Sequence, residues 1–282
     1  MSSTWHLPIY ATFVPYHSAV ESFLESDSVN LTAHWSIPKK HSRKVGVIII
    51  HGIPVGSNGA ATFASSYPEL SDRLANENGV TSLFFLMRGT ADSPGEFSIA
   101  NWRRDIRAAV DAMAERENID SIVLVATSLG GVLALDHAAS DERIKGLVLI
   151  STPSSLDEWI RNEKQFMTHV REVGLLHDPG YPDDPGVWMQ EFRTLHPLDV
   201  NDRLKNIPTL VMHGSDDDVV DVSSAHAFQD ALGKKCEKRI IEFAGHRLRY
   251  DPRAVATLLG WLDRFDSEPK DIALSTESIL NS

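Results

Sequence analysis

The segment 122–131 constrains the fold of this chain most strongly, because it combines a strand, a tight turn and the start of a helix. The branched apolar run at 122–125 is typical of a strand buried on both faces, and residues 129–139 favour a helix. Ser128 lies between these two elements. We therefore expect its hydroxyl to project from the carboxyl end of a strand, in front of a helix N-terminus.

A serine placed in this way is a candidate nucleophile. The helix N-terminus behind it offers free backbone N–H groups and a positive dipole end, which would stabilise an oxyanion on a substrate carbonyl. The local pattern is A-x-S-x-G, with Ala126 at a position where a nucleophile elbow usually carries glycine. Any small residue leaves similar room, but the pattern alone fits an ordinary strand-to-helix turn equally well.

A serine nucleophile needs a general base, and that base needs a carboxylate that orients it. In a parallel sheet both must come from loops at the edge that carries Ser128. His246 directly follows the last predicted strand and is the candidate base, whereas His51 and His213 lie at strand ends and are expected to brace turns. The acid is expected among the three consecutive aspartates at 216–218.

Strands and helical segments alternate along most of the chain, which is typical of βαβ units and a parallel sheet. The run Val45–Ile50 is rich in β-branched residues, as in strands buried on both faces, and an antiparallel strand is expected before it at 29–37. The other predicted strands are 80–86, 122–125, 144–150, 208–212 and 239–243, and the predicted helices are 67–77, 99–116, 129–139, 225–232 and 252–265.

The alternation breaks between residues 152 and 206, where two amphipathic helices flank a turn-rich segment. This insertion is predicted to form a lid after the sixth strand of a single domain spanning 1–282. A surface arm is expected at 1–18 and a disordered tail at 266–282. Six apolar side chains of the insertion could line an acyl pocket or simply pack the insertion onto the domain: Trp159, Phe166, Met167, Trp188, Met189 and Phe192.

Residues 213–220 read H-G-S-D-D-D-V-V and resemble the H-G-x-x-D-x-x-V signature of the α/β-hydrolase family. The register of this resemblance puts the acid at Asp217, with Asp216 and Asp218 as alternatives. The order Ser128, Asp217, His246 is also the order of that family. The resemblance therefore implies an α/β-hydrolase fold, a mostly parallel sheet flanked by helices, with these three residues as a catalytic triad.

Two further segments resemble loops of the same family. Residues 51–56 resemble its H-G-x loop after the third strand, which implies that the backbone N–H groups of Ile53 and Leu129 form an oxyanion hole. Residues 87–95 resemble its R-G-x-G-x-S segment after the fourth strand, although Ala91 replaces one glycine. The resemblance extends from Val29 to Phe265.

Composition and charge exclude several classes of partner. The formal net charge of -12 argues against nucleic acid or an anionic membrane as the main partner. The single cysteine, Cys236, cannot form an internal disulfide. We expect a cytoplasmic protein, because the N-terminus does not resemble a signal peptide and no apolar run reaches the ~20 residues that span a bilayer.

We expect a serine hydrolase that cleaves small-molecule carboxylic esters through an acyl-enzyme. No metal cluster or nucleotide fingerprint is apparent, so no cofactor is implied. Family members that open epoxides or remove halide use a carboxylate at the elbow, and Ser128 argues against both reactions. The alternatives are an acyl thioesterase, an acyltransferase, a C–C bond hydrolase or a non-catalytic binding protein on the same fold.

Overall fold

The computed structural model describes residues 22–39, 42–56 and 59–265. The predicted arm at 1–18 and the predicted tail at 266–282 lie outside these ranges. The strands are β1 Ser22–Ser26, β2 Val29–Ser36, β3 Val45–Ile50, β4 Thr81–Phe85, β5 Ser121–Thr127, β6 Ile144–Ile150, β7 Thr209–Gly214 and β8 Cys236–Ile241. The helices are α1 Gly59–Asn78, α2 Ile99–Ala114, α3 Leu129–Ala138, α4 Asp157–Arg161, α5 Glu163–Glu172, α6 Pro185–Arg193, α7 Asp202–Asn206, α8 Ser223–Leu232 and α9 Pro252–Phe265.

The described strands form one sheet in the order β1-β2-β4-β3-β5-β6-β7-β8. The strands from β3 to β8 run parallel, and β2 pairs antiparallel with both β1 and β4. The predicted mostly parallel sheet is therefore confirmed. In such a sheet the carboxyl ends of neighbouring strands meet at one edge, where the loops that follow them can form a site.

Both faces of the sheet are covered. In β3, Ile48 and Ile50 pack into a cluster with residues of α2, α3, α6 and α8, while Val47 and Ile49 pack into a second cluster with α1 and α9. Successive side chains of a strand point to opposite faces, so the continuous apolar sequence of β3 follows from burial on both sides.

The structure adds one strand and shifts several boundaries relative to the sequence prediction. β1 was not predicted, because the hairpin turn that joins it to β2 uses Asp27 and Ser28 at positive φ instead of glycine. Helix α1 begins ahead of the predicted start at Tyr67 and runs through Pro68, a residue that favours the first turn of a helix. β8 ends before Phe243, which has a φ of 61° and is 84% exposed.

The segment between β6 and β7 contains α4, α5, α6 and α7. This is the insertion expected at 152–206, and whether it acts as a lid stays a prediction. In the loop after β4, Ala91 adopts a φ of 48°, so alanine there keeps a left-handed backbone conformation. Within the described ranges, no helix has the length and apolarity needed to cross a bilayer.

Gly130, in the first turn of α3, tests the contact between that helix and the loop after β3. A Cβ atom at Gly130 would lie 2.2 Å from the backbone oxygen of His51. We expect Gly130→Ala to lower the free energy of unfolding by about 1–3 kcal/mol, because backbone atoms would have to move apart. Urea denaturation measures this change.

Gly260→Ala is the matched control. It makes the same substitution in helix α9, where the nearest atom that the new Cβ would meet is 3.9 Å away, at the end of the Arg264 side chain. We expect it to be neutral or to stabilise by up to ~1 kcal/mol, as alanine does in helices. Equal destabilisation by the two variants would contradict the tight contact at Gly130.

Candidate active site

The turn after β5 holds Ser128 in a strained conformation. Its φ of 51° and ψ of -127° lie outside the regions that non-glycine residues favour. Its backbone N–H donates to the carbonyl of Ile150 at 2.9 Å, and its own carbonyl accepts from the N–H of Gly131 at 2.9 Å. These bonds fix the turn at the carboxyl edge of the sheet. Strained backbone of this kind is concentrated at functional sites.

The loop after β3 lies directly against this turn. A Cβ atom on Gly52 would lie 2.7 Å from the Cβ of Ser128 and 3.2 Å from the backbone nitrogen of Leu129, so only glycine fits between them. Leu129 is the first residue of α3 and Ile53 follows Gly52. Neither the N–H of Ile53 nor that of Leu129 donates a hydrogen bond to a described residue. Both groups are thus available at the turn that carries Ser128.

His51 orients this loop from the interior. Its Nε2 accepts from the backbone N–H of Met87 at 3.0 Å, so Nδ1 carries the proton and donates to the carbonyl of Gly52 at 2.8 Å. In a planar trans peptide the C=O and N–H groups point in opposite directions, so this bond also fixes the direction of the Ile53 N–H. The pKa of His51 is lowered to about 4, mainly by burial. The hydrogen bond with the Gly52 backbone acts to raise this pKa, and the positive charge of Arg249 acts to lower it.

Asp217 and His246 form a close pair. His246 Nδ1 lies 3.0 Å from Oδ1 and 2.9 Å from Oδ2 of Asp217, whose side chain is completely buried. Oδ1 of Asp217 also accepts the backbone N–H groups of Val219 at 3.0 Å and Val220 at 2.9 Å. The carboxylate is therefore fixed in position and directed at the imidazole.

His213 also contacts this carboxylate. Its Nε2 lies 2.9 Å from the carbonyl of Val220, which can only accept, and 3.2 Å from Oδ2 of Asp217. Burial acts to raise the pKa of Asp217, but hydrogen bonds with His213 and His246 outweigh it and hold that pKa well below its usual range. The neighbouring Asp216 and Asp218 are exposed. Of the three aspartates, Asp217 is the one that contacts His246.

Ser128 and His246 line the same cavity. No hydrogen bond joins these two side chains among the contacts of the described residues, and such bonds are often long in enzymes without substrate. The loop after β3, the turn after β5 and the loop after β8 supply most of the wall. The cavity is lined by Gly52, Ile53, Val55, Phe63, Tyr67, Thr127, Ser128, Ile150, Ser151, His246, Arg247, Leu248 and Arg249.

Sequence reasoning missed several of these lining residues. Ser151 directly follows β6 at the same edge of the sheet, a position that could have indicated it. Arg247 and Arg249 follow His246 in the same loop, so their proximity to the cavity could also have been expected. Tyr67 lines the cavity from α1, and no local signal in the sequence indicates that contact.

None of the six apolar residues of the insertion lines this cavity. Four of them lie in the hydrophobic core, and the partly buried Trp159 and Met167 pack against it. The rings of Trp159 and Phe166 stack with centroids 5.2 Å apart, and Trp188 Nε1 donates to the carbonyl of Phe97 at 3.0 Å. Phe192 and Met189 are completely buried. The structure gives these side chains a packing role, and their contact with an acyl group stays a prediction.

Comparisons with known proteins agree with this architecture. The profile of the alpha/beta hydrolase family matches residues 47–258. A comparison with curated proteins found no match.

Several solved structures have a fold similar to that of this chain. Est1E from Butyrivibrio proteoclasticus with ferulic acid bound has 24% identity over 86% of this chain and 96% of its own, with a TM-score of 0.67. Mouse alpha/beta hydrolase domain-containing protein 10 has 21% identity over 87% and 97%, with a TM-score of 0.62. A monoacylglycerol lipase from Paleococcus ferrophilus has 18% identity over 83% and 99%, with a TM-score of 0.60.

The burial of His51 predicts a specific pH dependence of stability. The pKa of His51 is about 4 in the folded protein, and the reference value of 6.5 applies to the unfolded chain. Between pH 4 and 6.5 the unfolded chain therefore binds more protons at this residue than the folded protein does. The contribution of neutral His51 to the free energy of unfolding is complete above pH 6.5 and is lost as the pH falls towards 4. We expect the loss to approach ~3 kcal/mol, because each pKa unit corresponds to about 1.4 kcal/mol.

Urea denaturation at several pH values measures this slope. His51→Gln should flatten the dependence of the unfolding free energy on pH between 4 and 6.5, whatever its effect at neutral pH. His226→Gln, at an exposed histidine of α8, should retain the slope of the unmodified protein. An unchanged slope in His51→Gln would show that His51 is not the group that binds the proton.

Proposed function

The chain belongs to the alpha/beta hydrolase family, and we propose that it is a serine hydrolase that cleaves carboxylic esters through an acyl-enzyme on Ser128. The observation that carries the proposal is the pair formed by buried Asp217 and His246, in one cavity with the strained Ser128. A monoacylglycerol lipase among the structures of similar fold agrees with ester hydrolysis.

The geometry supports the following mechanism. Asp217 accepts the hydrogen bond of His246 Nδ1–H, which leaves Nε2 as the base that takes the Ser128 proton. Ser128 Oγ attacks the ester carbonyl carbon, and the N–H groups of Ile53 and Leu129 stabilise the oxyanion. Collapse of this intermediate expels the alcohol, which receives the proton from His246. Water, activated by the same imidazole, then hydrolyses the acyl-enzyme and releases the acid.

Covalent labelling tests the nucleophile. A fluorophosphonate probe should label the protein, and Ser128→Ala should abolish labelling because it removes the attacking oxygen. His246→Ala should slow labelling strongly, since no base then activates the hydroxyl. Label is detected by in-gel fluorescence and its position by mass spectrometry. Equal labelling of Ser128→Ala would refute the proposed nucleophile.

A panel of 4-nitrophenyl esters and acyl thioesters then tests the substrate class. Ester hydrolysis faster than thioester hydrolysis supports the proposal, and the reverse order supports a thioesterase. A protein that is labelled but hydrolyses neither series would support acyl transfer or C–C cleavage instead. A protein that is neither labelled nor active would support the binding role.

Adjacent aspartates offer a matched pair of variants. Asp217→Asn should lower kcat on a 4-nitrophenyl ester by about 10⁴-fold, because the amide no longer holds the imidazole in the required tautomer. Asp216→Asn makes the same change at an exposed side chain and should alter kcat by less than about threefold. Comparable losses in both variants would contradict the assignment of Asp217 as the acid.

A further inference from the structure

Arg249 lies in the wall of the cavity that contains Ser128 and is held in place by aromatic rings. Its guanidinium carbon is 5.1 Å from the centroid of Phe63, 5.2 Å from that of Tyr67 and 4.4 Å from that of Tyr250. Its Nε donates to Ser66 Oγ of helix α1 at 3.0 Å. These contacts fix the position of the cation. The side chain therefore has less conformational entropy to lose when a ligand binds.

The charge of Arg249 has no acidic partner within 4.0 Å in the described part of the chain. Its hydrogen bonds go to the hydroxyl groups of Ser66 and Tyr250, which are neutral. By contrast, Arg253 and Arg264 are paired with Asp251 and Glu237 at the surface. A half-buried cation without a counterion attracts an anion into its cavity.

Ser151 supplies a second, independent observation. Its side chain is 1% exposed and its Oγ has no hydrogen-bond partner, although it lines the cavity with Ser128 and Arg249. Its φ of 47° is unusual for a residue other than glycine. Buried hydroxyl groups are normally satisfied, so an unpartnered donor at a cavity wall indicates a group that a ligand can satisfy.

The rest of the cavity wall favours an anion as well. Arg247 lines it together with Arg249, and no aspartate or glutamate is among its lining residues. This composition contrasts with the whole chain, which has 39 acidic and 27 basic residues. The hydroxyl groups of Tyr67 and Thr127 share a 2.9 Å hydrogen bond in the same wall, which leaves one of the two hydroxyl protons as a further donor.

We propose that the substrate is an ester with a second, negatively charged group, such as a carboxylate, which Arg249 and Ser151 bind while Ser128 attacks the ester carbonyl. This inference rests on the proposed ester hydrolysis at Ser128. The charged group belongs either to the acyl part or to the leaving group. Either one places an anion beside the same guanidinium and hydroxyl donors.

Two matched substrate pairs test the proposal and distinguish these sources. Mono-4-nitrophenyl adipate and 4-nitrophenyl hexanoate differ by a carboxylate on the acyl chain, whereas 4-acetoxybenzoate and 4-acetoxybenzamide differ by a carboxylate on the leaving group. We expect kcat/KM to be about tenfold higher for the anionic ester in one pair, which identifies the source. A ratio near one in both pairs overturns the proposal.

Variants connect the preference to the proposed residues. Arg249→Gln should lower the anionic-to-neutral ratio about tenfold, because it removes a charged hydrogen-bond donor. Ser151→Ala should lower the ratio about threefold without lowering the melting temperature, since its hydroxyl has no bond to lose. Arg264→Gln removes one positive charge from an exposed site on α9 and should leave the ratio unchanged.

Because a structural defect lowers activity on both esters of a pair, the ratio separates recognition of the anion from loss of folding. Equal loss of activity on both esters in Arg249→Gln, or an unchanged ratio in Ser151→Ala, overturns the proposed anion subsite. Fluorophosphonate labelling is measured in parallel. A labelled, active enzyme without preference for the anionic ester refutes the subsite and leaves the proposed ester hydrolysis standing, whereas absence of both labelling and hydrolysis refutes the hydrolase proposal itself.

Discussion

The contact between the loop after β3 and the turn after β5 determines the geometry of the site. These strands are neighbours in the sheet although β4 lies between them in the sequence, so their carboxyl ends meet. Gly52 and Gly130 allow the two backbones to approach more closely than any side chain would permit. The approach brings the N–H group of Ile53 to the turn that carries Ser128, next to the N–H group of Leu129.

Two histidines near this contact differ in environment. His51 is completely buried, and with its lowered pKa it is neutral at pH 7, so its ring acts as a rigid link between Met87 and Gly52. His246 is partly exposed and faces the carboxylate of Asp217, which remains ionised although it is buried. The first environment suits a structural link, and the second suits a group that exchanges protons with the cavity.

The sequence predicts best what depends on local patterns. Continuous apolar runs, which are typical of burial on both faces, predict the parallel strands. The spacing of the family signature selects Asp217, the aspartate that the structure pairs with His246. Contacts between segments that are far apart in the sequence could not be predicted. Arg249, for example, donates to Ser66, which lies 183 residues away in the chain. Periodicity also shows that a helix such as α6 has an apolar face, but it does not show whether that face meets a cavity or the core.

The packing of the insertion has a consequence for how substrate reaches Ser128. Trp188 and Phe192 of α6 belong to the same hydrophobic cluster as the sheet residues Ile48 and Leu124. Moving α6 away from the sheet would expose such side chains to water, at a cost of about 1.5–3 kcal/mol each. Any opening of the insertion that separates α6 from the sheet therefore carries this free-energy cost, so an open state of that kind would be sparsely populated while substrate enters.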